Sequence, residues 1–441
     1  MVAAFIRAIN NRFPLGDMHA RLLDGASWSA IAVIVSRGAL FIAMFLTARI
    51  LGAKSYGEYA IVQSSISLFE IFASAGMGVT ATKHISQYKK NNKKKVGEII
   101  VITMAVVGIL GLPIALLLIY SSGTIARDVL SNPDLSLPLC LGAIVLLLNL
   151  LNGTVIGIII GFEGYEEMAR ANIISGIVTV VAIPVGAFYA DVLGALLGVM
   201  LSTAVLVVIN GFIVIKKIKA EQIRLYYKMH RDNWRMLWEF SLPAMLAGAV
   251  MVPVVWLANT MLINQPNGYK EMGVYAATNQ WLSILLFIPA TITMSLLPVF
   301  SDYSGEKNFI DLKRAIRLGV KTSLLVVAPI AATIACLSPL IMPLYGSEYA
   351  SRWDLLVVVC IAAVVASTNN VIGNLFMSIN RARTHLISNI IWSATFLSSA
   401  FLLIRAGFGA LALAEATLAA YAIKTAFIVN TLRNYFRKVG C

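Results

Sequence analysis

The sequence predicts an all-α integral membrane protein of about twelve transmembrane helices. Three observations carry this. First, 59% of the 441 residues are hydrophobic and only 13% charged, with a mean hydropathy of +0.83. A soluble chain of this length needs a more charged surface. Second, the apolar residues fall in blocks of roughly twenty, enough to cross ~30 Å of hydrocarbon at ~1.5 Å per residue. Third, the basic residues sit almost entirely between those blocks, as membrane topology demands. The blocks are continuous rather than alternating, which excludes a membrane barrel.

The expected spans are 27–48, 57–80, 97–120, 137–160, 171–190, 192–215, 239–263, 274–298, 320–344, 355–378, 386–404 and 409–430. Only Asp191 and nearby glycines separate the fifth from the sixth. Of the 35 Lys and Arg residues, 28 fall at the two ends and in alternate loops, 6 fall in the remaining loops, and Arg37 lies within a span. This bias predicts cytoplasmic termini. The charge of +14 is therefore topological, and no nucleic-acid partner is expected. No cleavable signal peptide is expected either, because Arg7, Arg12, Asp17, Arg21 and Asp24 precede the first apolar block. The four cysteines are scattered and suggest neither a metal site nor a disulfide framework.

The chain repeats itself. Tyr56-Gly57-Glu58-Tyr59-Ala60 recurs as Met272-Gly273-Val274-Tyr275-Ala276, a shift of 216. Pro113 matches Pro329 at the same shift. Asn172-Ile173-Ile174 matches Asn389-Ile390-Ile391, and Gly194-Ala195-Leu196 matches Gly409-Ala410-Leu411, within one residue of it. Two six-span halves entering from the same side should be related by an axis along the membrane normal. The expected organisation is a cytoplasmic segment 1–24, an N-lobe 25–215, a basic linker 216–238, a C-lobe 239–430 and a cytoplasmic tail 431–441.

At Ala48-Arg49-Ile50-Leu51-Gly52-Ala53-Lys54-Ser55-Tyr56-Gly57-Glu58-Tyr59-Ala60 the chain resembles the polysaccharide transporter family. These are Wzx-type flippases of O-antigen and capsule repeat units, within the multidrug/oligosaccharidyl-lipid/polysaccharide exporter superfamily. Phe240-Ser241-Leu242-Pro243, Phe287-Ile288-Pro289, Leu297-Pro298 and Leu344-Tyr345-Gly346-Ser347-Glu348-Tyr349 agree. The resemblance implies two pseudo-symmetric six-helix lobes in a V-shaped exporter fold and alternating access. It implies a bacterial inner-membrane location and an undecaprenyl-diphosphate-linked oligosaccharide as cargo. Membrane lipids, a polysaccharide polymerase and a chain-length regulator are the expected partners.

Such a cargo needs a wet, cationic cleft, because hydrocarbon penalises exposed charge heavily. Arginine suits a diphosphate through its planar, permanently charged fork. Arg37, near the middle of span one, is the sharpest candidate ligand; a structural pairing with Glu70 is the alternative. Arg49 and Arg405 on the outer side could receive the head group, and Lys83 and Lys321 could capture it on the inner side. Lys424 is a further substrate candidate, with snorkelling to the interface as the bland account. Asn259, Asn279 and Gln280 could bond sugar hydroxyls or bridge helices. Trp281, like Trp256 and Trp392, could stack on sugar rings or simply pack. Glu70 and Glu415 are candidates for H+ or Na+ coupling. Pro113, Pro243, Pro253, Pro289 and Pro329 are expected to interrupt helices. No cofactor, metal set or catalytic constellation is read, and no GxxxxGK[ST] loop for direct ATP drive. A cation-coupled multidrug exporter is the rival in transport; a membrane glycosyltransferase or polymerase is the rival among enzymes.

Overall fold

The structure is a computed structural model, and it describes residues 17–74, 76–226, 250–306, 308–378 and 382–438. The Phe240–Pro243 segment, residues 227–238 of the basic linker and Cys441 lie outside the described residues. The described chain is helical from end to end. The helices are α1 (Asp17–Ser74), α2 (Met77–Tyr88), α3 (Lys93–Thr124), α4 (Ser136–Gly161), α5 (Tyr165–Ala220) and α6 (Met251–Ile263). They continue as α7 (Gly268–Gly305), α8 (Phe309–Tyr345), the single turn α9 (Ser347–Ala350), α10 (Trp353–Ser378), α11 (Ala382–Arg405) and α12 (Ala410–Lys438).

Two helices are each two crossings joined without a loop. α1 runs through spans one and two and breaks at Gly52, with φ 71° and ψ 175°. That backbone region is essentially closed to side chains with a Cβ. α5 runs through spans five and six and breaks at Ala190 and Asp191, the latter with φ 51°. Among the described residues eight helices are long and apolar enough to cross a membrane; counting α1 and α5 twice and adding the shorter apolar α6 and the long α7 gives the twelve crossings read from the sequence. The breaks are not where proline predicts them. α3 continues through Pro113 and α8 through Pro329, Pro339 and Pro343. In α8 the Thr333 hydroxyl donates to the Pro329 carbonyl at 2.9 Å.

The crossings are multi-pass in character: α3 exposes Ile109, Leu112, Leu116 and Leu117, an apolar surface suited to lipid rather than water. Buried positions on the same helix are Gly111, Ala115 and Leu118.

The chain forms two compact units, and these do not follow the sequence halves. Unit 1 comprises 1–44, 69–122 and 137–246; unit 2 comprises 45–68, 123–136 and 247–441. The segment around Gly52 and the turn after α3 therefore pack with the C-terminal half. Within unit 1, Val96, Ile99, Ile100, Ile158, Ile159, Val214 and Ile223 form one apolar cluster. Within unit 2, Phe300, Leu312, Ile316, Ile372, Leu375, Phe376 and Ile428 form another.

The recurring sequence motif has a steric reason. Gly57 and Gly273 meet in unit 2. A Cβ on Gly57 would lie 1.8 Å from the Tyr269 carbonyl oxygen, and one on Gly273 1.8 Å from that of Ala53. Only glycine permits this approach of two membrane helices.

Candidate functional site

Unit 2 holds most of the polar residues singled out in the sequence. One chain of contacts links the broken part of α1 to α7, α8 and α9. The Ala53 N–H, the first after the Gly52 break, donates to Glu348 at 2.8 Å. Lys270 pairs with the same carboxylate at 3.4 Å. These contacts hold the Glu348 carboxyl below the usual carboxylate range, chiefly through the Ala53 N–H and, against some desolvation, through Lys270. The Tyr349 hydroxyl donates to the Ala48 carbonyl at 3.3 Å. A second carboxylate repeats the device: Glu271 accepts from the Ala410 N–H at 2.7 Å, where α12 begins, and from Arg352 at 2.8 and 3.1 Å. Acids at helix starts satisfy orphan N–H groups and complement the helix dipole.

Deeper along these helices, polar side chains bridge neighbours. Gln280 donates to the Tyr56 hydroxyl, and Trp281 donates to that of Tyr345 at 3.0 Å. Trp256 donates to Ser65 Oγ at 2.9 Å, and Asn259 to Ser64 Oγ at 3.1 Å. These four bonds each join side chains of different helix segments. Asn259 Oδ1 and Gln280 Oε1 are nonetheless buried with no partner, so each keeps one acceptor to spend. Asn279 is half-buried. Trp392 is buried against Phe396 and Tyr421, with ring centroids 5.0 and 5.6 Å away, a packing role.

Lys424 does not snorkel. It is 6% exposed, and its Nζ donates to Asn389 Oδ1 at 2.8 Å. Trp392 Nε1, Ser393 Oγ and Asn369 Oδ1 are buried and unpartnered on the same three helices, α10 to α12. Snorkelling needs a free path for the stem to the interface; the close packing of α11 on α12 removes it. Glu415, on the same helix as Lys424, is half-buried.

In unit 1, Glu70 does not pair with Arg37. Its carboxylate accepts from Asn149 at 3.3 Å. Arg37 is exposed, and among the described residues no hydrogen bond or ion pair reaches it. Lys83 is exposed. In unit 2, Arg49 and Lys321 are exposed, and Arg405 is exposed with its guanidinium 4.3 Å from the Phe401 ring centroid. Lys321 lines a groove between α8 and α12 together with Arg317. The structure thus brings Asn259, Gln280, Trp281 and Lys424 into unit 2 as buried or bridging groups, and leaves Arg37, Arg49, Lys83, Lys321 and Arg405 exposed. Sequence reading missed Glu348 and Glu271. Glu348 sits in the single turn α9 and Glu271 in the first turn of α7, and nothing in a single sequence marks a carboxylate that caps a distant helix.

Among the described residues no cluster of His, Cys, Asp and Glu could hold a metal ion.

Comparison with known proteins gives a consistent result. Residues 22–304 match the polysaccharide biosynthesis protein family, and residues 243–404 match the MatE family. The EPS I polysaccharide export inner membrane protein EpsE of Ralstonia solanacearum is 21% identical over 411 residues, covering 91% of each chain. The lipid III flippase of Escherichia coli (strain K12) is 24% identical over 407 residues, covering 91% of this chain and 96% of that one. Among solved structures, an inward-facing MATE family transporter of the MOP superfamily superposes with a TM-score of 0.79 at 14% identity, covering 93% of this chain and 99% of that one. The lipid II flippase MurJ, in an inward closed conformation, superposes with a TM-score of 0.74 at 13% identity, covering 92% of this chain and 87% of that one. These likenesses give the exporter fold, and they are to transporters and flippases rather than to enzymes. The match over residues 22–304, together with twelve crossings and an exporter fold, makes this multi-pass membrane chain a member of the polysaccharide biosynthesis protein family.

Proposed function

We propose that the protein is an inner-membrane flippase that carries an undecaprenyl-diphosphate-linked oligosaccharide from the cytoplasmic to the periplasmic leaflet. The observation that carries the reading is Arg37. It is a permanent cation within a transmembrane helix, exposed, and without a carboxylate partner among the described residues. An intramembrane charge is costly unless it faces water or an anion, and a diphosphate is the anion that an arginine fork matches best. Family membership and likeness to a polysaccharide exporter and a lipid III flippase support the same class.

In this reading the lobes are 25–215 and 239–430, joined by the basic linker, with both termini cytoplasmic as the charge bias argues. The head group passes Arg37 and the exposed basic residues Lys83, Lys321, Arg49 and Arg405 in a cationic, water-filled cavity, while the polyprenyl tail stays in lipid. Asn259, Asn279 and Gln280 offer acceptors and donors to sugar hydroxyls, and Lys424 is the innermost cation. Glu70 or Glu415 would couple transport to H+ or Na+. A polymerase and a chain-length regulator would receive the product. A cation-coupled drug exporter is the second reading, favoured by the MatE match over residues 243–404; the unpaired cation at Arg37 argues against cationic drugs.

The test is lipid extraction from a deletion strain complemented with variants. Loss of the protein should abolish surface polysaccharide and accumulate a lipid-linked oligosaccharide. Arg37→Ala should reproduce both defects at normal protein abundance, and Arg37→Lys should retain part of the activity. A deletion strain with normal polysaccharide and no accumulated lipid overturns the flippase reading; full activity of Arg37→Ala removes that residue from it.

A further inference from the structure

We infer that the groove between α8 and α12 in unit 2 is a binding site for a membrane lipid with a diphosphate head and one long apolar tail. The choice of lipid rests on the flippase reading above; the groove itself rests on geometry.

Two adjoining cavities of ≈ 430 and ≈ 900 Å³ form the groove and share Ile316, Arg317, Val429 and Leu432. The smaller is rimmed by Lys313, Arg317, Arg433 and Arg437. The larger runs along α8 past Lys321 to Ala328, Pro329 and Ala332, with Ile372 of α10 also on its wall. The site is therefore basic at one end and apolar along its length. Among the described residues no carboxylate pairs with Arg317, Lys321, Arg433 or Arg437. The acid nearest in sequence, Asp311, is engaged by Arg314 at 3.1 Å. Several uncompensated cations gathered at the mouth of an apolar channel complement a polyanionic head on a hydrocarbon tail.

The internal repeat shows that this groove is specific to unit 2. At the 216-residue shift, Ile316, Val320, Ile372 and Val429 correspond to Ile100, Met104, Ile156 and Ile213. Ile100 belongs to the apolar cluster of unit 1 that contains Ile223, and the other three pack against it. There the chain covers its own groove: a Cβ on Gly97 would lie 2.0 Å from the Arg224 carbonyl oxygen and 3.4 Å from the Ile223 side chain. The counterpart of Gly97 is Lys313, which rims the smaller cavity. The charges diverge in step. Lys217 is neutralised by Glu167 at 2.5 Å, whereas no carboxylate among the described residues pairs with Arg433. One copy of the repeat packs its own chain over this place; the other has the two cation-rimmed cavities there.

A diphosphate on a single tail fits better than a two-chain phospholipid. The apolar part is one groove lined by α8, α10 and α12, and a phosphodiester brings only a single negative charge to the basic mouth.

The experiment is native mass spectrometry of the full-length protein in detergent with equal concentrations of undecaprenyl diphosphate and phosphatidylglycerol. The wild type should retain the diphosphate about tenfold more strongly, ~1.4 kcal/mol, and increasing salt should weaken it. The double substitution Arg317→Gln, Arg433→Gln, on exposed side chains, should lose that preference. Ala328→Trp should displace the tail and lower retention of the diphosphate. Lys89→Gln with Lys90→Gln, remote on the same charge-biased side, should change nothing. Equal retention of phosphatidylglycerol, or wild-type retention by the Arg317 and Arg433 double variant, overturns the inference. If Ala328→Trp fails to fold, the charge variant decides alone. The two readings fail separately, since retention in vitro decides the groove and lipid accumulation in the deletion strain decides the flippase.

Discussion

Lys424 shows how far one residue's role depends on its neighbours. Its amine is buried and bonded to Asn389, with no carboxylate partner among the described residues. Replacing a buried charge with an apolar side chain of similar size is often neutral or even stabilising. Lys424→Met should therefore fold with an unfolding temperature no lower than the wild type. If the cation serves transport, export should fall with normal abundance. A variant that both folds and exports normally assigns Lys424 to packing alone. Glu348 makes a pH prediction. Its folded pKa is depressed, so its stabilising contribution is complete above the ordinary carboxylate pKa of about 4.3 and is lost as pH falls through the lower, folded value. Thermal unfolding should show a decline in that acid range that Glu348→Gln lacks. An identical acid profile in the variant would show that the carboxylate adds nothing.

At the scale of elements, glycine rather than proline shapes the helices. Gly52 breaks α1 in a backbone region that costs other residues ~1–3 kcal/mol. Gly57 and Gly273 let α1 and α7 cross with backbone against backbone. Gly57→Val or Gly273→Val must push the helices apart, at a cost on the order of 3 kcal/mol for overpacking. Both should lower the unfolding temperature and the yield of folded protein, whereas Gly38→Val, where a Cβ meets nothing within 4 Å, should not. Wild-type stability of the Gly57 variant would mean that the crossing is looser than the structure has it. Pro113→Ala and Pro329→Ala should leave the helices intact, because both helices already run through these positions.

For the whole molecule, the charge bias makes a topological prediction. A cysteine at position 127, in the turn after α3, should react with a membrane-impermeant maleimide added outside intact cells, and one at position 93 should not. The reverse pattern inverts the topology and with it the proposed transport direction. The helical membrane class, the number of crossings and the 216-residue repeat were legible in the sequence, since each depends on composition and spacing along the chain. The span edges were legible only approximately: α7 and α8 extend well past the apolar blocks, because polar residues continue a helix beyond the hydrocarbon.

Residue order and composition alone dictate that this chain crosses the membrane repeatedly as helices, that it does so in two related halves, and that Arg37 places a charge among apolar neighbours. Burial of backbone polar groups in hydrocarbon leaves only helix or closed barrel, and the continuous apolar blocks exclude the barrel. Tertiary structure alone decided which polar residues meet. It gave Glu70 to Asn149 rather than to Arg37, drew Lys424 into the packing of α11 on α12, and set Glu348 on the helix start at Ala53, 295 residues away. Such outcomes depend on which surfaces approach in space, and a buried polar group takes whatever partner that approach supplies.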